Sequence, residues 1–225
     1  MSFTRKKKIV HTDCRISGIS ITGSLVISDL GVTFDVTLTF LEHINKITSA
    51  AHSVLGFIWR NCRDFENTNN SLLILHYSLV RSRLEYCSVI WYPIFKNQIK
   101  CIESVQRKFL KLIAFKLDGF YPPKGSEHSL LLSRFHVLPL DVGRDQASVT
   151  FLYKIVNFHF ECPVLLSLIP IHVPPVRTKK HNIFYNPPNK TLILRKSPLS
   201  ICCSNFNKIC NSCDIFCDSL QYIVN

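Results

Sequence analysis

The chain has 225 residues, 47% apolar and 19% charged, enough apolar side chain to bury a core and too much for a disordered polymer. Its 27 Lys and Arg against 15 Asp and Glu leave a formal charge of +12, which favours polyanionic partners, either nucleic acid or an anionic membrane face. No uncharged apolar run reaches the roughly 18 residues of a spanning helix, and MSFTRKKKIVH is not followed by an apolar block of signal-peptide length, so an intracellular setting without a membrane partner is expected.

Residues 1–36 read as strands and turns. In RISGISITGSLVISDLGVTFD, Ile19 and Ile21 alternate with polar residues. Thr22-Gly23-Ser24 is placed to turn the chain into Leu25-Val26-Ile27, and a second turn falls at Ser28 to Gly31. Thr39 and Glu42 have the spacing of a capping box, in which the hydroxyl and the carboxylate each accept from a free backbone N–H. Behind them Ile44, Ile47, Ala51, Val54 and Ile58 recur at helical spacing and mark one buried face. ENTNN, from Glu66 to Asn70, reads as a loop. From Leu72 to about Trp91, the positions Leu73, Tyr77, Val80, Leu84, Cys87 and Trp91 form an apolar seam of period near 3.5.

Pro93 closes that segment. A third helix is expected from Lys96, with Ile99, Ile102, Val105, Phe109 and Ile113 inside and Gly119 as its stop. Lys100, Ser104, Arg107 and Lys111 form a stripe on another face, with Lys108 beside it. YPPKG, Tyr121 to Gly125, is the expected boundary. Short helices follow near Ser126–Phe135, Asp141–Phe160 and Pro163–Leu168, then a Pro-rich extended stretch over Ile169–Pro198 and a last helix near Leu199–Asn211. The expected class is mainly α with a small N-terminal antiparallel β region (α+β). It divides into a β region over 1–36, a helical domain over 37–120 and a helical, Pro-rich irregular tail over 121–225.

Few residues suggest chemistry. A two-metal phosphoryl-transfer site needs clustered carboxylates, yet no adjacent aspartate pair occurs, and Asp29 and Asp35 read as turn or strand-edge residues. There is no phosphate-binding GxxxxGK[ST] loop, no GxSxG elbow and no HExxH pair. Cys202, Cys203, Cys210 and Cys213 could supply four thiolates to zinc. Their spacing is not that of paired CxxC knuckles, and the apolar spacing through Phe206 and Ile209 suits a thiol-rich helix instead. Cys162 has no base beside it. Catalytic and metal-binding residues are therefore not expected, and the cysteines read mostly as reduced, buried hydrophobes. The basic groups carry more: Arg5, Lys6, Lys7 and Lys8 form a run, and up to residue 116 there are 16 basic against 8 acidic residues. Positive charge is weighted towards the first half.

YSLVRSRLEYCSVIWYP, followed by IESVQRKFL, resembles the C-terminal part of reverse transcriptases from non-LTR retrotransposons of the jockey-like type. Further pieces match in order. MSFTRKK resembles the strand leaving the polymerase palm, DLGVTFDVTLTFLEHI the approach to the thumb, and CPVLLSLI with HVPPVRTKK the tail beyond it. The resemblance spans nearly the whole chain. It implies a helical, thumb-like bundle followed by a tail, with the fingers and the magnesium-binding palm lying ahead of residue 1 in the parent enzyme. It therefore implies no catalytic centre and no cofactor in this chain. The implied partner is an RNA or DNA template–primer duplex, gripped without sequence preference, with the palm and fingers of the parent enzyme as a second. Lys100, Arg107, Lys108 and Lys111 are the leading phosphate-binding candidates, with Arg5, Lys6, Lys7, Lys8, Arg81 and Arg83 added. The sequence departs from the family pattern within GSEHSLLLSRFHVLPLDVGRD, where relatives usually carry a glycine in place of His136. The alternative reading is a helical protein-interaction module, docking a partner on the apolar seam of 73–91.

Overall fold

The computed structural model describes residues 3, 15–20, 23–62, 69–123, 127–172, 182–185, 197–209, 214–220 and 223. The protein is mainly helical, with two small antiparallel hairpins near the N-terminus, the α+β class expected.

Strands β1 (Arg15–Ile16) and β2 (Ile19–Ser20) form the first hairpin, and β3 (Val26–Asp29) and β4 (Val32–Asp35) the second. Each is closed by two residues with positive φ: Ser17 and Gly18 at 50° and 82°, then Leu30 and Gly31 at 44° and 82°. That is the mirror-image turn whose twist matches paired strands, and the glycines take its second position at no steric cost. The turn expected at 22–24 therefore links two hairpins and closes neither. Residue 22 itself lies outside the described residues.

Helix α1 (Leu41–Asn61) buries Ile44, Ala51, Leu55 and Ile58, with His43 and Thr48 on the same side. Ile47 and Val54 are half-buried. Its start differs from the capping box. Phe40 holds a φ of 56° and no side chain caps the helix. The acceptor that takes the Thr39 N–H and hydroxyl is Asp35, at the end of β4, and it holds the turn before the helix. Its carboxylate accepts from the backbone N–H of Thr37 at 2.9 Å, Thr39 at 3.1 Å and Phe40 at 2.7 Å, and from the Thr37 and Thr39 hydroxyls. One strand-edge carboxylate thus ties hairpin, turn and helix together.

The segment from residue 69 is not one regular helix. It runs as α2 (Asn69–Leu75), π-helical turns over His76–Arg81, and α3 (Ser82–Glu85). The backbone N–H of Ser82 bonds the carbonyl of Tyr77, five residues back. The wider turn shifts the buried face to Leu72, His76, Val80 and Leu84, each four residues apart. Tyr77, expected inside the seam, is 41% exposed. The helix ends at Glu85, and Cys87 follows with a φ of 53°. His76 is fully buried, its ring stacked on Phe109 with centroids 3.8 Å apart and planes 6° apart. Neither ring nitrogen has a hydrogen-bond partner. Burial, then the nearby charge of Arg81, pushes its pKa down to about 3, so the ring is neutral at pH 7 and packs as an aromatic.

Helix α4 (Lys96–Asp118) ends at Gly119, whose φ is 75°. Ile102, Val105, Phe109 and Ile113 are buried as expected, and Ile99 is half-buried. The chain groups into two compact units, one formed by Met1–Leu84 with Phe95–Phe109, the other by Glu85–Ile94 with Leu110–Asn225. Residues 121–123, placed at a boundary by sequence, lie inside the second unit.

Within the second unit, α5 (His128–Phe135), α6 (Leu140–Val156), α7 (Pro163–Ser167) and α8 (Pro198–Ile209) follow in order. Val149, Leu152, Ile155 and Val156 of α6 share a core with Cys202, Cys203 and Phe206 of α8 and with Ile169, Phe184, Ile215 and Ile223. Phe184 meets Phe206 edge-on at 5.6 Å. Asp145 holds the polar side of the α6–α8 contact, accepting from the Tyr92 hydroxyl at 2.9 Å and from Asn205 Nδ2 at 2.8 Å. Of the Pro-rich stretch, Ile171 and Phe184 pair across an isolated antiparallel bridge, and residues 173–181 and 186–196 lie outside the described residues.

His136 closes α5 in the left-handed conformation, φ 51° and ψ 39°. A glycine suits that position because it has no Cβ to crowd the following carbonyl. A His136→Gly variant is expected to raise the free energy of unfolding by about 1 kcal/mol, read as a higher urea midpoint. An unchanged or lower midpoint contradicts this.

Candidate nucleic-acid interface

Lys96, Lys100, Arg107 and Lys111 follow one another along α4 at spacings that a helix of about 3.6 residues per turn stacks on one face. The first three are exposed, as is Lys108 on the flank, and Lys111 is half-buried. Ile102, Val105 and Phe109 take the opposite face into the interior. This is why the cations point outward: the apolar spacing orients the helix, and the basic residues occupy what remains. Glu103 borders the stripe one turn before Arg107, so the stripe is not purely positive.

The first unit holds Lys96, Lys100, Arg107 and Lys108, and the second holds Lys111. In the first unit α4 sits against α1 and the turn before it. Gln98 Nε2 donates to the Thr39 carbonyl at 2.9 Å, and the Cys101 thiol lies 3.6 Å from the Thr48 hydroxyl. His52 of α1 feels Lys108: burial first, then that ammonium, holds its imidazole pKa below 6.5. His52 is thus mostly neutral at pH 7 and adds little charge to this face.

The other sequence candidates are distributed differently. Arg83 is exposed on α3. Arg81 departs from expectation. It is only 4% exposed and its guanidinium carbon lies 5.2 Å from the Tyr77 ring centroid. The π-helical turns rotate it inward, so it presents no free surface to a phosphate. Arg5, Lys6, Lys7 and Lys8 lie outside the described residues. Lys96 was not among the sequence candidates, although its place one turn before Lys100 is a signal legible in the spacing alone.

The cysteine reading divides similarly. Cys202 and Cys203 are buried in α8, where burial pushes their thiol pKa values up to about 12 and about 11. They remain protonated at neutral pH, whereas a metal binds thiolate. Cys210 and Cys213 lie outside the described residues, and among those described no group of three or more His, Cys, Asp or Glu is placed to hold a metal ion. Among the described residues no helix is long and apolar enough to cross a membrane.

No family model matches the chain, and neither the curated proteins nor the solved structures give a match.

Proposed function

We propose that this chain is a nucleic-acid-binding module without sequence preference, the thumb and tail of a non-LTR retrotransposon reverse transcriptase, with polymerase chemistry belonging to the palm of the parent enzyme. The observation that supports it is the exposed series Lys96, Lys100 and Arg107 with Lys108 on one helix. From Lys96 to Arg107 the rise along the axis is about 16 Å, the length of several successive phosphates on one strand. Arginine can meet a phosphate with two parallel N–H donors, and lysine adds a mobile point charge. A stripe of cations along one helix face is suited to grip the phosphate backbone.

The protein-interaction alternative relied on the seam of 73–91. Of that seam Val80, Leu84 and Trp91 are buried, Leu73 and Cys87 are half-buried and Tyr77 is exposed, so it offers a partner less apolar surface than its period suggests.

Salt titration tests the proposal. If Lys96, Lys100, Arg107 and Lys108 each neutralise one phosphate, affinity for a duplex falls roughly a hundredfold between about 50 and 200 mM salt. Substituting Lys100, Arg107 and Lys108 together by Glu abolishes that binding while circular dichroism stays helical. Equal affinity at the two salt concentrations, or duplex binding that survives the triple charge reversal, rejects it.

A further inference from the structure

Helices α6 and α8 leave a cleft of about 250 Å³ beside their contact, wholly within the second unit. Its walls follow from helical spacing. Val142, Asp145 and Val149 share one face of α6, Asn205, Lys208 and Ile209 share one face of α8, and Ile223 joins them. Val149 and Ile223 are buried, Ile209 is half-buried, and Val142 stands at the rim, 39% exposed.

The polar side of the cleft is fixed before any ligand arrives. Asn205 is buried and both ends of its amide are used. Its Nδ2 donates to Asp145 Oδ1 at 2.8 Å and to Ser148 Oγ at 2.9 Å, and its Oδ1 accepts from the Lys208 ammonium at 2.8 Å. The Tyr92 hydroxyl donates to the same Asp145 Oδ1 at 2.9 Å. The other carboxylate oxygen, Oδ2, stands 3.6 Å from Lys208 Nζ, too far for a hydrogen bond. Lys208 therefore keeps N–H donors to spare, and Asp145 Oδ2 keeps its lone pairs, side by side on one wall.

These groups define the ligand. A hydroxyl oxygen set against that pair accepts from Lys208 and donates to Asp145 Oδ2, which no ether, ketone or carboxylate does. The two opposite charges balance, so the wall favours no net charge, and the remaining lining is aliphatic. The volume lies just below the roughly 300 Å³ at which pockets begin to hold drug-sized molecules, so a nucleotide is too large. We propose that the α6–α8 cleft binds a compact, uncharged, apolar alcohol or phenol, its hydroxyl bridging Lys208 and Asp145 and its body lying against Val142, Val149, Ile209 and Ile223. The site is independent of the cations on α4 and of the nucleic-acid reading.

Fluorine NMR of the full chain tests it with 4-fluorophenol. Saturable binding is expected with a dissociation constant of about 1 mM or tighter. 4-Fluoroanisole, which cannot donate, and 4-fluorobenzoate, which is charged, should each bind about tenfold more weakly. Val142→Trp fills the rim and should abolish binding. Lys208→Met, at an exposed side chain whose loss water can make good, should weaken the phenol about tenfold and leave the anisole unchanged, and it decides the matter if the larger tryptophan disturbs the fold. Binding that fails to saturate overturns the proposal. So does an anisole or benzoate that binds as tightly as the phenol, a phenol affinity unchanged by Lys208→Met, or binding that survives Val142→Trp with a native urea midpoint.

Discussion

Between pH 6.5 and about 4 the free energy of unfolding falls by about 1.4 kcal/mol for each pH unit through His76 alone, and a His76→Phe variant loses that slope. The cause is the stacking of a fully buried imidazole on Phe109 with no partner for either nitrogen. Burial, with Arg81 adding to it, holds the folded pKa at about 3 against the ordinary 6.5. The sign follows from proton counting. Below pH 6.5 the unfolded chain takes up a proton at this residue and the folded chain does not, so stability is present above 6.5 and drains away as pH falls towards 3. Integrated over that window the loss is about 5 kcal/mol, a large part of the stability of a typical domain. His43 and His52 also have lowered pKa values, each through burial first and then a nearby lysine, and add to the fall in the same sense. Phenylalanine keeps a flat ring over Phe109 and has no proton to gain, so urea midpoints measured from pH 7 to 4 should fall steeply for the wild type and, for the variant, only by the share of the other histidines. Identical slopes for the two proteins would refute the account.

An Asp35→Ala variant is expected to lose about 3 kcal/mol of stability, and Asp35→Asn about half of that. Three backbone N–H groups and two hydroxyls converge on this carboxylate, and hydrogen bonds to a charged acceptor contribute roughly 1.5–3 kcal/mol each when protected. The sum is reduced because Asp35 is half-exposed and water can replace part of the set. Alanine leaves the backbone N–H groups of Thr37, Thr39 and Phe40, in the turn leading into α1, without this acceptor. Partial burial pushes the Asp35 carboxyl up, but the bonds from Thr37, Thr39 and Phe40 outweigh it and the pKa lies below 3.8. This contribution is therefore present above pH 3.8 and lost as pH falls through the lower folded value, from the acid end of the window where His76 acts downwards. The measurement is chemical unfolding at pH 7, together with hydrogen exchange at the amides of Thr39 and Phe40. Unchanged stability and unchanged protection of those amides would show that the carboxylate does not hold this turn.

The long helices were legible because their signals are local. The inner faces of α1 and α4 follow from apolar spacing, and Gly119 ends α4 where its freedom of φ is needed. Other features were misread because they depend on groups distant in sequence or on backbone geometry that spacing does not encode. Thr39 and Glu42 have capping-box spacing, yet a carboxylate brought in by β4 was the stronger acceptor. The seam of 73–91 follows a regular period, but the π-helical turns at His76–Arg81 moved the buried face to Leu72, His76, Val80 and Leu84. The same rotation took Arg81 out of the phosphate-binding candidates and left Tyr77 in solvent.

Amino-acid order alone determined that this protein is basic and mainly helical, and that the cations of α4 lie opposite its apolar face, since helical periodicity couples those two properties residue by residue. Tertiary structure decided which polar groups remain at the surface. Burial of His76 and Arg81, the reach of Asp35 across a turn and the hydrogen bond from Asn205 to Asp145 all depend on where the backbone goes beyond the next helical turn, and no spacing rule contains that.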